Sequence, residues 1–141
     1  MPPSDAPAVR TPREVLARYY RAMLDKSADD LADLYAVDAV HEFPFTAPGF
    51  PGHFEGREAV RSGYRAAWGA SPARVAEVRE VAVHETARPG VIVAEHVVVG
   101  EMPPARTGFT VPGLLVLHVR DGLIARARDY MDGFGVAAAR G

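Results

Sequence analysis

The sequence predicts an α+β fold in which N-terminal helices pack on a strongly curved, mostly antiparallel β-sheet and leave a pocket at the mouth between them. Three observations carry this. Helical signals crowd into the first half of the chain, up to about Trp68, and strand signals fill the second half, so the elements are segregated rather than alternating. Two helix starts carry a hydroxyl capping residue, Thr11 and Ser27. The last two strands flank an Arg120-Asp121-Gly122 turn of the kind that joins hairpins.

Taken in order, Thr11-Pro12-Arg13-Glu14 is a capping box with proline at the first helical position. It opens a helix to about Asp25, with Val15, Leu16, Tyr19 and Met23 on one side. Ser27-Ala28-Asp29-Asp30 caps a shorter helix through Leu31, Leu34 and Tyr35. Ala39 to Pro44 reads as a short strand. Residues 45–56 form a connection rich in Pro, Gly and Phe, and long enough to act as a lid or binding loop. Its phenylalanines Phe45, Phe50 and Phe54 are placed to cap a pocket. A third helix runs from about Arg57 to Trp68, with Val60, Tyr64, Ala67 and Trp68 as its apolar stripe. Strands follow over roughly Arg74–His84, Val91–Glu101, Phe109–Arg120 and Leu123–Tyr130. No repeat or linker divides the chain, which is read as one domain over 11–135 between a disordered arm (1–10) and a tail (136–141).

The hairpin register decides where Asp129 points. A two-residue loop pairs Leu117 with Arg126 and Leu115 with Arg128, mixing leucine and arginine on one face. A three-residue loop with Gly122 left-handed pairs Leu117 with Ala125 and Leu115 with Ala127. One face then carries Leu115, Leu117, Val119, Leu123, Ala125 and Ala127, and the other His118, Arg120, Arg126 and Arg128. The second register separates apolar from polar and is the one expected. It puts Asp129 on the apolar face, where a carboxylate is costly unless paired or used.

Bulk properties exclude several classes. A net charge of −2 gives no electrostatic footprint for nucleic acid. No apolar run is long enough to span a membrane, and the first residues lack the pattern of a signal peptide, so a cytoplasmic protein is expected. The absence of cysteine excludes disulfides, thiolate metal sites and a cysteine nucleophile. Histidines at 41, 53, 84, 96 and 118 show no metal-ligand spacing, and no phosphate- or dinucleotide-binding glycine pattern occurs, so neither metal nor cofactor is expected.

The segments R-Y-Y-R-A-M-L (18–24), D-D-L-A-D-L-Y-A-V-D-A-V (29–40), E-F-P (42–44), G-R-E-A-V (56–60) and V-R-D-G-L-I-A-R-A-R-D-Y-M-D (119–132) resemble the nuclear transport factor two-like superfamily, in its SnoaL-like and ketosteroid-isomerase-like branch. The resemblance covers about residues 12–135 and implies a cone-shaped fold. It is less specific for function, because that fold carries enzymes, binding modules and dimerisation domains. The ketosteroid isomerase base falls on Phe43 and the second acid on Leu115; only the oxyanion-binding tyrosine has a counterpart, Tyr19. Without the base, that activity is not expected. In the limonene-epoxide-hydrolase pattern Asp129 matches one aspartate, while the arginine and the other aspartate fall on His96 and Val98, and the first-strand Asn and Tyr fall on Glu42 and Val40. SnoaL-like cyclases place an acid at Asp129, with their histidine falling on Leu115, and phenazine-biosynthesis members place a glutamate at that strand position.

The expected catalytic set is therefore Asp129 as acid/base with Tyr19, His96 and Glu42 positioning or polarising the substrate. Neighbours on a strand face opposite ways, so only one of His41 and Glu42, and one of Glu95 and His96, can point inward; the resemblance favours Glu42, and His96 is taken as the inward member of its pair. Phe43, Phe50, Phe54, Tyr64, Trp68, Val98, Leu115 and Leu117 are expected to line the pocket. The implied function is a cyclase, isomerase or hydrolase acting on a hydrophobic polyketide- or terpenoid-like molecule, working as a homodimer. The rival is a non-catalytic ligand-binding or dimerisation module of the same fold.

Overall fold

The structure is a computed structural model, and it describes residues 9–45, 49 and 51–132. The arm at 1–8, the tail at 136–141 and Phe50 lie outside the described residues. Helix α1 (Pro12–Asp25) opens on the Thr11–Glu14 capping box and closes on left-handed Lys26. Its buried stripe is Val15, Leu16, Tyr19 and Ala22, the spacing of one helical face. The Lys26 ammonium then donates to the carbonyls of Ser71 and Ala73 at 2.7 and 3.0 Å, tying the end of α1 to the segment after α3.

Helix α2 (Ala28–Ala32), capped by Ser27, ends earlier than the sequence suggests. The Leu34 carbonyl accepts from the Ile124 amide at 2.8 Å, and Tyr35 already pairs with Ile124, so the chain has entered the sheet. Strand β1 (Tyr35–Glu42) accordingly starts four residues before the expected Ala39. A short strand β2 (His53–Glu55) occupies part of the stretch expected to be all loop. Helix α3 (Arg57–Ala70) follows, then β3 (Arg74–Glu85), β4 (Val91–Met102), β5 (Thr107–Arg120) and β6 (Leu123–Met131).

The six strands form one mixed sheet in the order β2-β1-β6-β5-β4-β3, with β1 parallel to β6 and every other pair antiparallel. Register shifts interrupt β3/β4, β5/β6 and β1/β6. Each such irregularity bends its strand and increases the twist, so a continuous sheet can curl around the helices without closing. The core between sheet and helices contains Leu16, Tyr19, Leu31, Tyr35, Val60, Ala94, Leu115, Leu117, Ile124 and Ala127.

The hairpin solves its register differently from the expectation. Asp121 and Gly122 both have positive φ, 54° and 77°, and Arg120 pairs with Leu123, so the loop has two residues. The extra residue sits one step further on. Val119 pairs with Ile124 but His118 pairs with Arg126, leaving Ala125 as a bulge. The bulge restores the face separation: Leu117 meets Ala127 and Leu115 meets Asp129. It also corrects the start of the strand. Ile124 is fully buried, while Leu123 and Ala125, expected on the core face, are only half-buried.

Candidate active site

Strands β1 and β6 bring together the polar groups of the inner face. His41 pairs with Ala127, and Asp129 stands one inward position along β6, opposite Leu115. The His41 ring is fully buried, and the Asp129 side chain retains 13 % exposure. His41 Nε2 lies 3.3 Å from Asp129 Oδ2 and 3.1 Å from the Tyr64 hydroxyl, which itself donates to the same Oδ2 at 3.3 Å. On the far side of the ring, the Tyr35 hydroxyl is 2.7 Å from Nδ1.

A carboxylate only accepts, so the nitrogen facing Asp129 carries the hydrogen. In the tautomer with its hydrogen on Nε2, Nδ1 accepts from the Tyr35 hydroxyl on the far side of the ring. The network continues to Tyr19, which hydrogen-bonds to both Tyr35 and Tyr64. Burial pushes all three phenols well above their ordinary value of 10, and the Asp129 charge adds to the rise in each. They are held as neutral hydroxyls around a single carboxylate. Asp129 Oδ2 takes the contacts from both His41 and Tyr64, and Oδ1 has no partner among the described residues. A carboxylate anchored through one oxygen, with the other available, is an arrangement that can accept or return a proton.

Aromatic rings surround this network. Phe43 packs on His41 at 4.7 Å between centroids, and Phe54 meets Phe43 at 5.6 Å and Tyr64 at 6.0 Å. Tyr64 in turn meets Trp68 at 4.9 Å. The helix α3 position facing Phe54 is Gly63, where a side chain would strike that ring.

The structure thus joins Asp129, Tyr19, Tyr64 and Phe43 through His41 and Tyr35, two residues the sequence reading left out. Glu42 is corrected: it faces the opposite side of β1, paired with Arg126 and lying 3.7 Å from Arg128. His96 is inward and buried, but it belongs to a different part of the face, against Tyr20. Leu115 and Leu117 are buried in the core, and Val98 is half-buried further along β4. Phe45 is exposed and packs on Tyr130 rather than over the network. Two open cavities, of about 640 and 340 Å³, lie away from the network. The larger is lined by Arg88, His118, Arg120 and Arg126 on strands and turns; the smaller lies beside Lys26 and Trp68.

Burial lowers the His96 imidazole below its ordinary 6.5, against an opposing pull from Asp129. In the unfolded chain the ring regains its ordinary value, so as pH falls through 6.5 the unfolded state takes up the proton first. This contribution to stability is full above that pH and is lost below it, toward the lowered folded value. Urea unfolding at about pH 7.5 and about pH 5.5 is expected to show a larger loss for the wild type than for His96→Leu. Equal losses would mean that His96 is not a buried neutral group.

Residues 16–127 match the family model of the SnoaL-like domain. Among curated relatives, the uncharacterized protein YesE of Bacillus subtilis is 26% identical over 128 residues, covering 91% of this chain and 86% of that protein. An uncharacterized PhzA/B-like protein of Pseudomonas aeruginosa is 29% identical over 118 residues, covering 84% and 82%. Among solved structures, a Bacillus subtilis protein provisionally described as an isomerase aligns with a TM-score of 0.80 at 26% identity, over 90% of each chain. A Catenulispora acidiphila protein with a ketosteroid isomerase-like fold, in complex with trimethylamine, aligns at 0.72 with 24% identity, over 93% and 94% of the chains. IdmH of Streptomyces antibioticus, provisionally described as a polyketide cyclase, aligns at 0.70 with 22% identity, over 92% and 98%. The family match spans most of the sheet and helices described above, and on that ground the chain belongs to the SnoaL-like family of the nuclear transport factor two-like superfamily.

Proposed function

We propose that the protein is a cofactor-independent enzyme that cyclises, isomerises or hydrolyses a hydrophobic polyketide- or terpenoid-like molecule, with Asp129 as its acid/base. The observation that supports this reading is the buried His41 ring held between Tyr35 and Asp129. Such a ring orients a carboxylate without exposing it, and a positioned carboxylate is what proton transfer to carbon or oxygen needs. In this reading Asp129 Oδ1 takes a proton from the substrate, and Oδ2 stays bonded to His41 and Tyr64. The neutral phenols keep water out and supply donors that a charged side chain would not. Tyr19 and Tyr35 act through their neighbours and are positioning residues. The same proposal has two copies pairing through the outer face of the sheet.

The test is proton exchange. Polyketide- and terpenoid-like ketones are incubated with the protein in deuterated water, and label at carbon is followed by mass spectrometry. Label acquired with the wild type and not with Asp129→Asn is the expected result. Ligands that bind the wild type without exchange or turnover would favour the non-catalytic binding module.

A further inference from the structure

We infer that His96, lying over Gly113 and backed by Tyr20, is a second ligand-contacting group that hydrogen-bonds an uncharged carbonyl or hydroxyl oxygen of the substrate. This uses the acid/base reading of Asp129 only to say where the rest of the substrate lies. The starting observation is a pair of orphans. Tyr20 Oη and His96 Nδ1 are the buried side-chain polar atoms without a partner among the described residues. Buried polar atoms are seldom left unpaired unless a ligand or water completes them. These two belong to rings in contact, with centroids 5.7 Å apart.

The sheet shows where the imidazole reaches. His96 on β4 pairs with Gly113 on β5, which pairs with Met131 on β6. A Cβ on Gly113 would stand 2.9 Å from His96 Nε2 and 3.2 Å from Cε1, so the ring lies across β5 where a side chain is missing. The adjacent inward row runs Ala94, Leu115, Asp129. His96 and Asp129 are therefore two strands and one row apart, about 10 Å in the strand-to-strand direction. The two groups face one surface at a spacing that a bicyclic molecule spans.

The chemistry narrows the ligand. His96 is only 5% exposed, and burial favours its neutral form. Tyr20, pushed up to about 12 by burial and by Glu80, stays a phenol. A neutral imidazole beside a neutral phenol suits an uncharged oxygen. An anionic group would meet the charges of Glu80 and Asp129, both of which reach this corner.

The probes are 1-tetralone and tetralin, which share a carbon frame and differ by a carbonyl. The wild type is expected to bind 1-tetralone about fivefold more tightly, the worth of one neutral hydrogen bond. Nitrogen-15 spectra of histidine-labelled protein should show the His96 ring-nitrogen resonances, Nδ1 included, moving with 1-tetralone and staying with tetralin. His96→Leu and Gly113→Ala should each bring the affinity ratio close to one. Asp129→Asn should leave the ratio intact. A ratio that survives His96→Leu, a His96 resonance that ignores the ketone, or no binding of either probe overturns the inference. Loss of exchange in Asp129→Asn with an unchanged ratio in His96→Leu would leave the acid/base reading standing alone. The opposite pattern would leave only the His96 contact.

Discussion

Asp129→Asn is expected to lower turnover of the true substrate about 10²–10⁴-fold, the usual contribution of a positioned acid or base. Binding of that substrate should change little. The substitution nearly conserves volume, and the amide oxygen can still accept from the Tyr64 hydroxyl and His41 Nε2, the donors that hold Oδ2 in the wild type. What is removed is the capacity to take a proton. A fall in turnover at constant dissociation constant, read by steady-state kinetics beside calorimetry, is the signature of an interaction made only in the transition state. Wild-type-like turnover in the Asn variant would take Asp129 out of the mechanism.

The placement of Asp129 was legible in the sequence, though the expected route to it was wrong. Face separation along β6 required an odd offset somewhere in the hairpin, and the three-residue loop was the local way to supply it. The chain instead uses the Asp-Gly loop its residues favour and places the extra residue at Ala125. That choice lets Ile124 enter the core, a tertiary preference that no turn rule contains.

His41 was missed for a reason the sequence could have exposed. Phe43 and Glu42 were both expected to face the pocket, yet adjacent residues of a regular strand cannot do so. Ala39, His41 and Phe43 share one parity and are all buried; Val40 and Glu42 share the other. Taking Phe43 as an inward residue therefore required His41, not Glu42, to point inward with it. The resemblance drew attention to position 42 instead. His96 was placed inward, as the structure has it, but the room its ring finds over Gly113, its pairing partner on the next strand, is revealed only by the register of the sheet.

His41→Ala is expected to lower unfolding free energy by on the order of 3–5 kcal/mol, from a core cavity together with the loss of a hydrogen bond to a charged group. At this chain length that corresponds to a fall in melting temperature of on the order of 10–20 °C. The two contributions separate in His41→Leu, which keeps most of the volume and removes only the polar contacts. The phenols can partly adapt, because the Tyr35 hydroxyl can turn to Tyr19, its other hydrogen-bonding neighbour. Asp129 cannot adapt in the same way: it is mostly buried, and its remaining described partner is the Tyr64 hydroxyl. His41→Leu should therefore cost about 1–3 kcal/mol, and much of that cost should vanish when Asp129→Asn is already present. A coupling above about 1 kcal/mol in the double-mutant cycle, measured by urea unfolding near neutral pH, is the expected result. Strict additivity would mean that the 3.3 Å approach of His41 to Asp129 carries no energy, and that the histidine is held by Tyr35 and the surrounding rings alone.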